Sequence, residues 1–321
     1  MRLDRFISLN LVCPIKQKAK TNKGLKIPIL MYHSISDEQE NGHPYFWINT
    51  SPARFAEHMK YLHKNNYKVI SLSEAVKLIS NESNVCSNIP AFHHSISPES
   101  EKGESIAPPI IPSFHHSTIP QDKYVVLTFD DGYRNFFTKA VPIIQQYEFR
   151  GTMYLPTNFI GTNNLNGGKR LDWNEVRELR DIGIEIGSHT VNHLQLKMSK
   201  REEIEYEIRS SKEKIEENLG ETIESFSYPF AFPETDKKLK NYLRIIMKAS
   251  GYKTGVTTII GLAAGADAPF FLKRLPINSR DDLLFLRAKL EGCYDWMHSV
   301  QYAKKIMMEK LKKRLDKLSL P

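Results

Sequence analysis

From residue 27 onward, short apolar runs alternate with segments whose apolar residues recur every three or four positions, and this alternation narrows the fold more than any other feature. Residues 27–32, 67–70, 124–129, 152–155, 184–188, 224–227, 252–257 and 270–277 read as strands. The run 124–129 is apolar on both faces, as in a buried parallel strand. Helices are expected between them. Thr50, Ser51 and Pro52 open one with a hydroxyl cap and an early proline, and its apolar face is Phe55, Met59 and Leu62. A short one follows at 73–79 and another at 135–146. Asp172 and Glu175 make a capping box ahead of Val176, Leu179 and Ile182. Ser199 and Glu202 are placed to cap a long helix with the stripe Ile204, Ile208, Ile215 and Leu219, and a further helix covers 236–248. Repeated strand–helix units imply an α/β fold with a parallel sheet, open or closed into a barrel. Reactive groups are then expected just past the carboxyl ends of strands.

Residues 80–123 interrupt the pattern. They hold six of the 17 prolines, nine serines and four of the 11 histidines. Ile89, Pro90, Phe92, His93, His94 and Ser95 recur 22 residues later as Ile111, Pro112, Phe114, His115, His116 and Ser117. Such histidine pairs can bind metal, but no helix or strand pattern fixes their geometry, so an inserted flexible loop is expected. Three cysteines, Cys13, Cys86 and Cys293, form no zinc spacing and make a poor disulfide framework. No apolar run approaches the ~20 residues that span a bilayer. Near the N-terminus, Ser8 and Asn10 interrupt a short apolar run and Lys16, Lys18 and Lys20 follow, so residues 1–26 read as a basic arm, surface-lying or disordered, rather than an export signal.

Three motifs sit at expected strand ends. Thr128, Phe129, Asp130, Asp131 and Gly132 follow the strongest strand. Adjacent aspartates are costly to bury unless paired or bound to a cation, and Gly132 permits a sharp exit, although such a sequence is also an ordinary turn. Ser188, His189, Thr190, Val191, Asn192 and His193 place two imidazoles four apart. With one carboxylate from a neighbouring strand end, they form a ligand set for an open divalent-metal site. Ser227, Tyr228, Pro229, Phe230 and Ala231 read as a strand-to-loop turn that can wall a groove and aim a backbone N–H at a reacting oxygen.

In this order the motifs resemble those of the polysaccharide deacetylases, the NodB-homology or carbohydrate esterase family four proteins. The resemblance takes in Ile29 to Ser34, and Leu171, Asp172 and Trp173, and covers about 27–290. It implies a distorted (β/α) barrel and metal-dependent removal of N-acetyl or O-acetyl groups from a polysaccharide or glycan precursor. Carried over by position, Asp131, His189 and His193 hold a divalent metal, zinc first, with cobalt, nickel or manganese also suited. Asp130 is the general base on metal-bound water, and the Phe230 N–H stabilises the oxyanion. Tyr228 and Pro229 line the substrate, and His33, at the end of the first strand, either lines the site or is a packed histidine.

Two departures stand out. Where the family often has an arginine before the proline–aromatic pair, this chain has Ser227 and Tyr228. Arg274 either arrives from a later strand end to orient Asp130, as in some members, or lies on the surface. The late histidine that supplies a general acid in many members is absent, which keeps open a non-catalytic metal- and glycan-binding barrel. From Trp296 a stripe of Val300, Ala303, Met307, Leu311, Leu315 and Leu318 runs through a basic amphipathic segment, 291–321. That helix is expected to pack its stripe on the domain, with peripheral membrane contact as the alternative. The chain's net charge of +8 suits an acidic partner. Nucleic acid is not expected, since the cations concentrate at the termini and no groove-reading motif is present. Localisation stays open, the lack of a clear signal or spanning segment favouring the cytoplasm or a membrane surface.

Overall fold

In a computed structural model of the chain, the described residues are 2–19, 24–38, 40–87, 122–162, 168–265 and 267–318. Seven parallel strands close on themselves: β2 (Ile29–Tyr32), β10 (Leu272–Pro276), β8 (Thr254–Ile260), β7 (Ser225–Ser227), β6 (Glu185–Ser188), β5 (Thr152–Leu155) and β4 (Lys123–Phe129), which pairs back onto β2. β3 (Tyr67–Val69) adds to the start of β4, and β1 (Lys26–Ile27) pairs antiparallel with β9 (Ala263–Ala264). The expected distorted barrel is therefore what the chain forms.

Helices wrap this barrel: α3 (Pro52–Lys64), α4 (Leu72–Ser87), α5 (Val141–Gln145), α6 (Trp173–Asp181), α7 (Arg201–Leu219), α8 (Lys237–Ala249) and α9 (Leu283–Leu290). Local chemistry explains their starts. Ser51 Oγ accepts from the Arg54 N–H, Asp172 and Glu175 form a reciprocal capping box, and Asp236 and Asp282 cap α8 and α9. α7 begins differently from expectation, with Lys200 at its N-cap and no side-chain cap bond. Ahead of α5, Phe136–Ala140 is a π-helical turn. Pro142 lacks an N–H for the ladder, so the regular α pattern is broken close by.

Three further expectations are corrected. α4 runs on to Ser87, into the segment read as a loop, because no proline intervenes before Pro90. Residues 88–121, with both histidine pairs, lie outside the described residues. Residues 3–19 take the surface-lying form of the expected arm and not the disordered one: α1 (Leu3–Ile7), a π turn (Ser8–Val12) and α2 (Cys13–Ala19) form one rod on the barrel. Its buried Asp4 accepts from Arg2 and Tyr294, while Arg2 also reaches Asp281. Cys13 and Cys293 are joined by a disulfide across 280 residues, a pairing that Cys spacing along the chain does not reveal. Finally, α10 (Trp296–Leu318) docks by its polar face. His298 and Lys305 bind Glu234, Glu309 binds Lys197 and Thr235, and Gln301 donates to Tyr45. Val300, Met307 and Leu311, expected to pack inward, are 50%, 60% and 50% exposed. Satisfying these charged partners decides the rotation of the helix.

Candidate active site

Because the strands are parallel, the groups following β2, β4, β6 and β7 gather at one end of the barrel. Asp130 and Asp131 follow β4, His189 follows β6, and Phe230 follows β7 after two buried residues. Backbone strain is concentrated here. Asp131, Thr190, His193 and Phe230 all have positive φ, at 74°, 70°, 52° and 55°. Each such residue costs roughly 1–3 kcal/mol, and a β-branched residue such as Thr190 is especially disfavoured.

Asp131, His189 and His193 converge. Asp131 Oδ1 lies 3.4 Å from His189 Nε2 and 3.2 Å from His193 Nε2. Donors held at about 2.1 Å around a tetrahedral ion stand about 3.4 Å apart, so this spacing fits a shared cation. The donor chemistry agrees. His189 Nδ1 donates to the Ser227 carbonyl at 2.7 Å, so Nε2 is the ring atom left facing Asp131. Asp131 Oδ1 is buried and makes no well-formed hydrogen bond. Two imidazole Nε2 atoms and a carboxylate oxygen held this close need a shared positive charge, a proton or a cation, between them. Burial opposes ionisation of Asp131, but the adjacent imidazoles of His189, His193 and His33 hold its pKa well below the usual range.

Asp130 has a separate environment. It is 2% exposed and faces Arg274, itself wholly buried, in a bidentate pair at 2.8 and 2.7 Å. Arg274 comes from β10 and also donates to Thr128 Oγ1, Ser227 Oγ and the Thr257 carbonyl, so it crosses the barrel interior rather than lying on the surface. Ser227 Oγ reaches Asp130 Oδ2 at 3.3 Å. Burial pushes the Asp130 carboxyl up, but Arg274, with His189 and His33, outweighs it and keeps the group ionised below its ordinary pKa. His33 Nε2 stands 3.9 Å from Asp130 Oδ2, and its side chain is 17% exposed. Burial lowers the His33 pKa despite the two aspartates.

Tyr228 and Pro229 are placed otherwise than expected. Tyr228 is 1% exposed and packs on Phe226, Phe232 and Phe271, and Pro229 is buried, so both side chains lie in the protein interior. They instead brace the turn that presents Phe230, half exposed and against the His193 ring at 4.7 Å. A groove of about 850 Å³ opens beside the site. Ser34, Asp37, Asn49, Tyr133, Arg134 and Lys169 are among its lining residues.

Two supporting residues escaped the sequence reading. Glu207, buried on α7, accepts from the N–H groups of Val191 and Asn192 and from the Asn192 amide, clamping the loop between the two histidines. Its signal was available: Glu207 lies three residues after Ile204, inside the apolar stripe, where an unpaired carboxylate would be costly. Arg170 lies over the Tyr133 ring, 3.7 Å from its centre, and donates to the Asp131 carbonyl, bracing the strained residue. Nothing in its local sequence marks that role.

Comparison with known proteins agrees with the barrel and the motif order. The family model described as Polysaccharide deacetylase matches residues 118–254. A putative polysaccharide deacetylase of Bacillus subtilis, YxkH, is 26% identical over 262 residues, 81% of this chain and 74% of that one. A poly-beta-1,6-N-acetyl-D-glucosamine N-deacetylase of Staphylococcus epidermidis is 25% identical over 142 residues, 41% of this chain and 47% of its own. Among solved structures, the Streptococcus pyogenes deacetylase PplD superposes with a TM-score of 0.60 at 23% identity, covering 84% of this chain and 99% of that one, and shares the fold. Residues 118–254, the part of the chain that carries Asp130, Asp131, His189, His193 and Phe230, are accordingly similar to the polysaccharide deacetylase family.

Proposed function

We propose that the protein hydrolyses acetyl groups from a carbohydrate, within a catalytic unit spanning about 27–290, and that it depends on a divalent metal, zinc first, held by Asp131, His189 and His193. The observation that carries this reading is the convergence of three ligand atoms beside a separate ionised carboxylate. An ion in that place would polarise the acetyl carbonyl and acidify a water molecule at the site. Asp130 takes the proton of the attacking water at Oδ2, and Arg274 and Ser227 hold that carboxylate in position. The Phe230 N–H, on its strained turn, donates to the oxyanion that forms as water adds to the carbonyl carbon.

The leaving group needs a proton when its bond to that carbon breaks. His33 is neutral at rest, consistent with its burial, and is the imidazole outside the ligand set that stands nearest Asp130. The proton passes from Asp130 to His33 and then to the leaving nitrogen or oxygen, releasing acetate and the free amine or hydroxyl. His298, the remaining late histidine, is tied to Glu234 at 2.7 Å. The groove beside Ser34 and Tyr133 receives the neighbouring sugars.

Incubating metal-loaded protein with N-acetylated and O-acetylated oligosaccharides and measuring acetate tests the reading. Release from at least one glycan, lost in Asp130→Asn with metal still bound, is expected. Metal binding and glycan binding with no acetate from any substrate would identify a glycan-binding barrel instead.

A further inference from the structure

The net charge of the chain is confined to its two ends. Residues 1–26 carry seven lysines and arginines against one aspartate, and residues 300–321 carry seven against two acids. The ends therefore hold +11 of a chain whose total is +8, leaving −3 on residues 27–299. The fold brings the N-terminal rod against the start of α10. Cys13 is bonded to Cys293, Tyr294 donates to Asp4, and Trp296 donates to Ser8 Oγ at 3.0 Å. Trp296 lies one turn before Val300 on the same face of α10.

Both helices leave apolar side chains in the open. On the N-terminal rod, Leu3, Leu11 and Ile15 are 65%, 53% and 68% exposed, while its Asp4 and Ser8 face is buried. On α10, Val300, Met307 and Leu311 recur at helical spacing on the side away from Lys305 and Glu309, which fasten the helix to the domain. At 100° per residue, Lys304 and Lys310 fall on the two sides of this stripe, both exposed. An apolar stripe flanked by lysines is the pattern of a helix lying in a lipid interface. A second copy of the chain is the poorer occupant, because it would bring two basic faces together.

We infer that the N-terminal rod and α10 form one docking face for an anionic membrane surface, with apolar side chains entering the lipid and lysines meeting the headgroups. The inference does not depend on the proposed chemistry. It bears on it nonetheless, since the inner face of α10 is tied to the loops that follow His193 and Phe230. Lys197 binds Glu309, and Lys305 donates to the Phe232 carbonyl. Docking would therefore hold the mouth of the barrel close to the lipid.

The test is co-sedimentation of the full chain with vesicles of phosphatidylcholine alone or mixed with phosphatidylglycerol, at moderate salt. Binding only to the phosphatidylglycerol vesicles is expected. Met307→Glu with Leu311→Glu, and separately Leu11→Glu with Ile15→Glu, should each weaken partitioning at least about tenfold, as expected for withdrawing two large apolar side chains from lipid. Circular dichroism should show both proteins folded, and acetate release from a soluble oligosaccharide should be unchanged. No binding to anionic vesicles, or binding indifferent to both pairs, would overturn the inference. So would a dimer, seen by light scattering, that the same substitutions dissociate.

Discussion

Removing the Arg274 guanidinium would leave Asp130 an unpaired carboxylate in the barrel interior, and breaking such a buried pair typically costs about 3–5 kcal/mol. Arg274→Ala should therefore lower the thermal midpoint sharply. Arg274→Lys, which keeps the charge but not the fork, should fold and lose most activity. Wild-type stability in the alanine variant would contradict this account of the pair. His33→Gln should reduce turnover by about 10²-fold or more on an N-acetyl sugar. It should do so far less on p-nitrophenyl acetate, whose leaving group needs no proton. Equal losses on both substrates would remove His33 from the proton path. At this scale the sequence was informative where a motif is contiguous. It named Asp130, Asp131, His189 and His193, but could not decide whether Arg274 is buried, because that depends on which strands face it across the barrel. Tyr228 and Pro229 were misplaced for a similar reason: a turn at a strand end shows its composition in sequence, but not which side chains turn inward.

Among the elements, α3 carries a titratable group that makes the fold sensitive to acid. His58 is fully buried, with Nε2 against the Asp281 carbonyl and Nδ1 against the Tyr32 hydroxyl, a pairing that suits the neutral ring. Burial pushes its pKa down to about 4. The unfolded chain, with a pKa near 6.5, takes up the proton first. The stability that the neutral ring contributes is thus complete above about pH 6.5 and is lost as pH falls toward 4, by about 3 kcal/mol at most. Denaturant midpoints should fall over that window in wild type and much less in His58→Gln; parallel curves would contradict the assignment. The caps of α3 and α6 were legible because a cap and its helix are neighbours in sequence. The rotation of α10 was not, since Glu234 and Lys197, which decide it, lie 64 to 112 residues from their partners.

For the whole molecule, alternation of strands and helices was enough to expect a parallel sheet, open or closed, while closure through β2 was not visible in that pattern, because nothing in a strand's sequence names its neighbour. The two ends of the chain meet through the Cys13–Cys293 bond, which constrains a very long loop in the unfolded state. Cys293→Ala should cost about 2–4 kcal/mol, and an unchanged melting midpoint would show that the rod docks without the bond. The central claim, however, concerns the cation. Purified protein should be stripped with a chelator, dialysed and titrated with zinc while bound metal and acetate release are both followed. One ion per chain should bind as activity returns, and Asp131→Asn and His193→Ala should bind it far more weakly. Full acetate release from the stripped protein, or unweakened metal binding in both variants, would contradict the account.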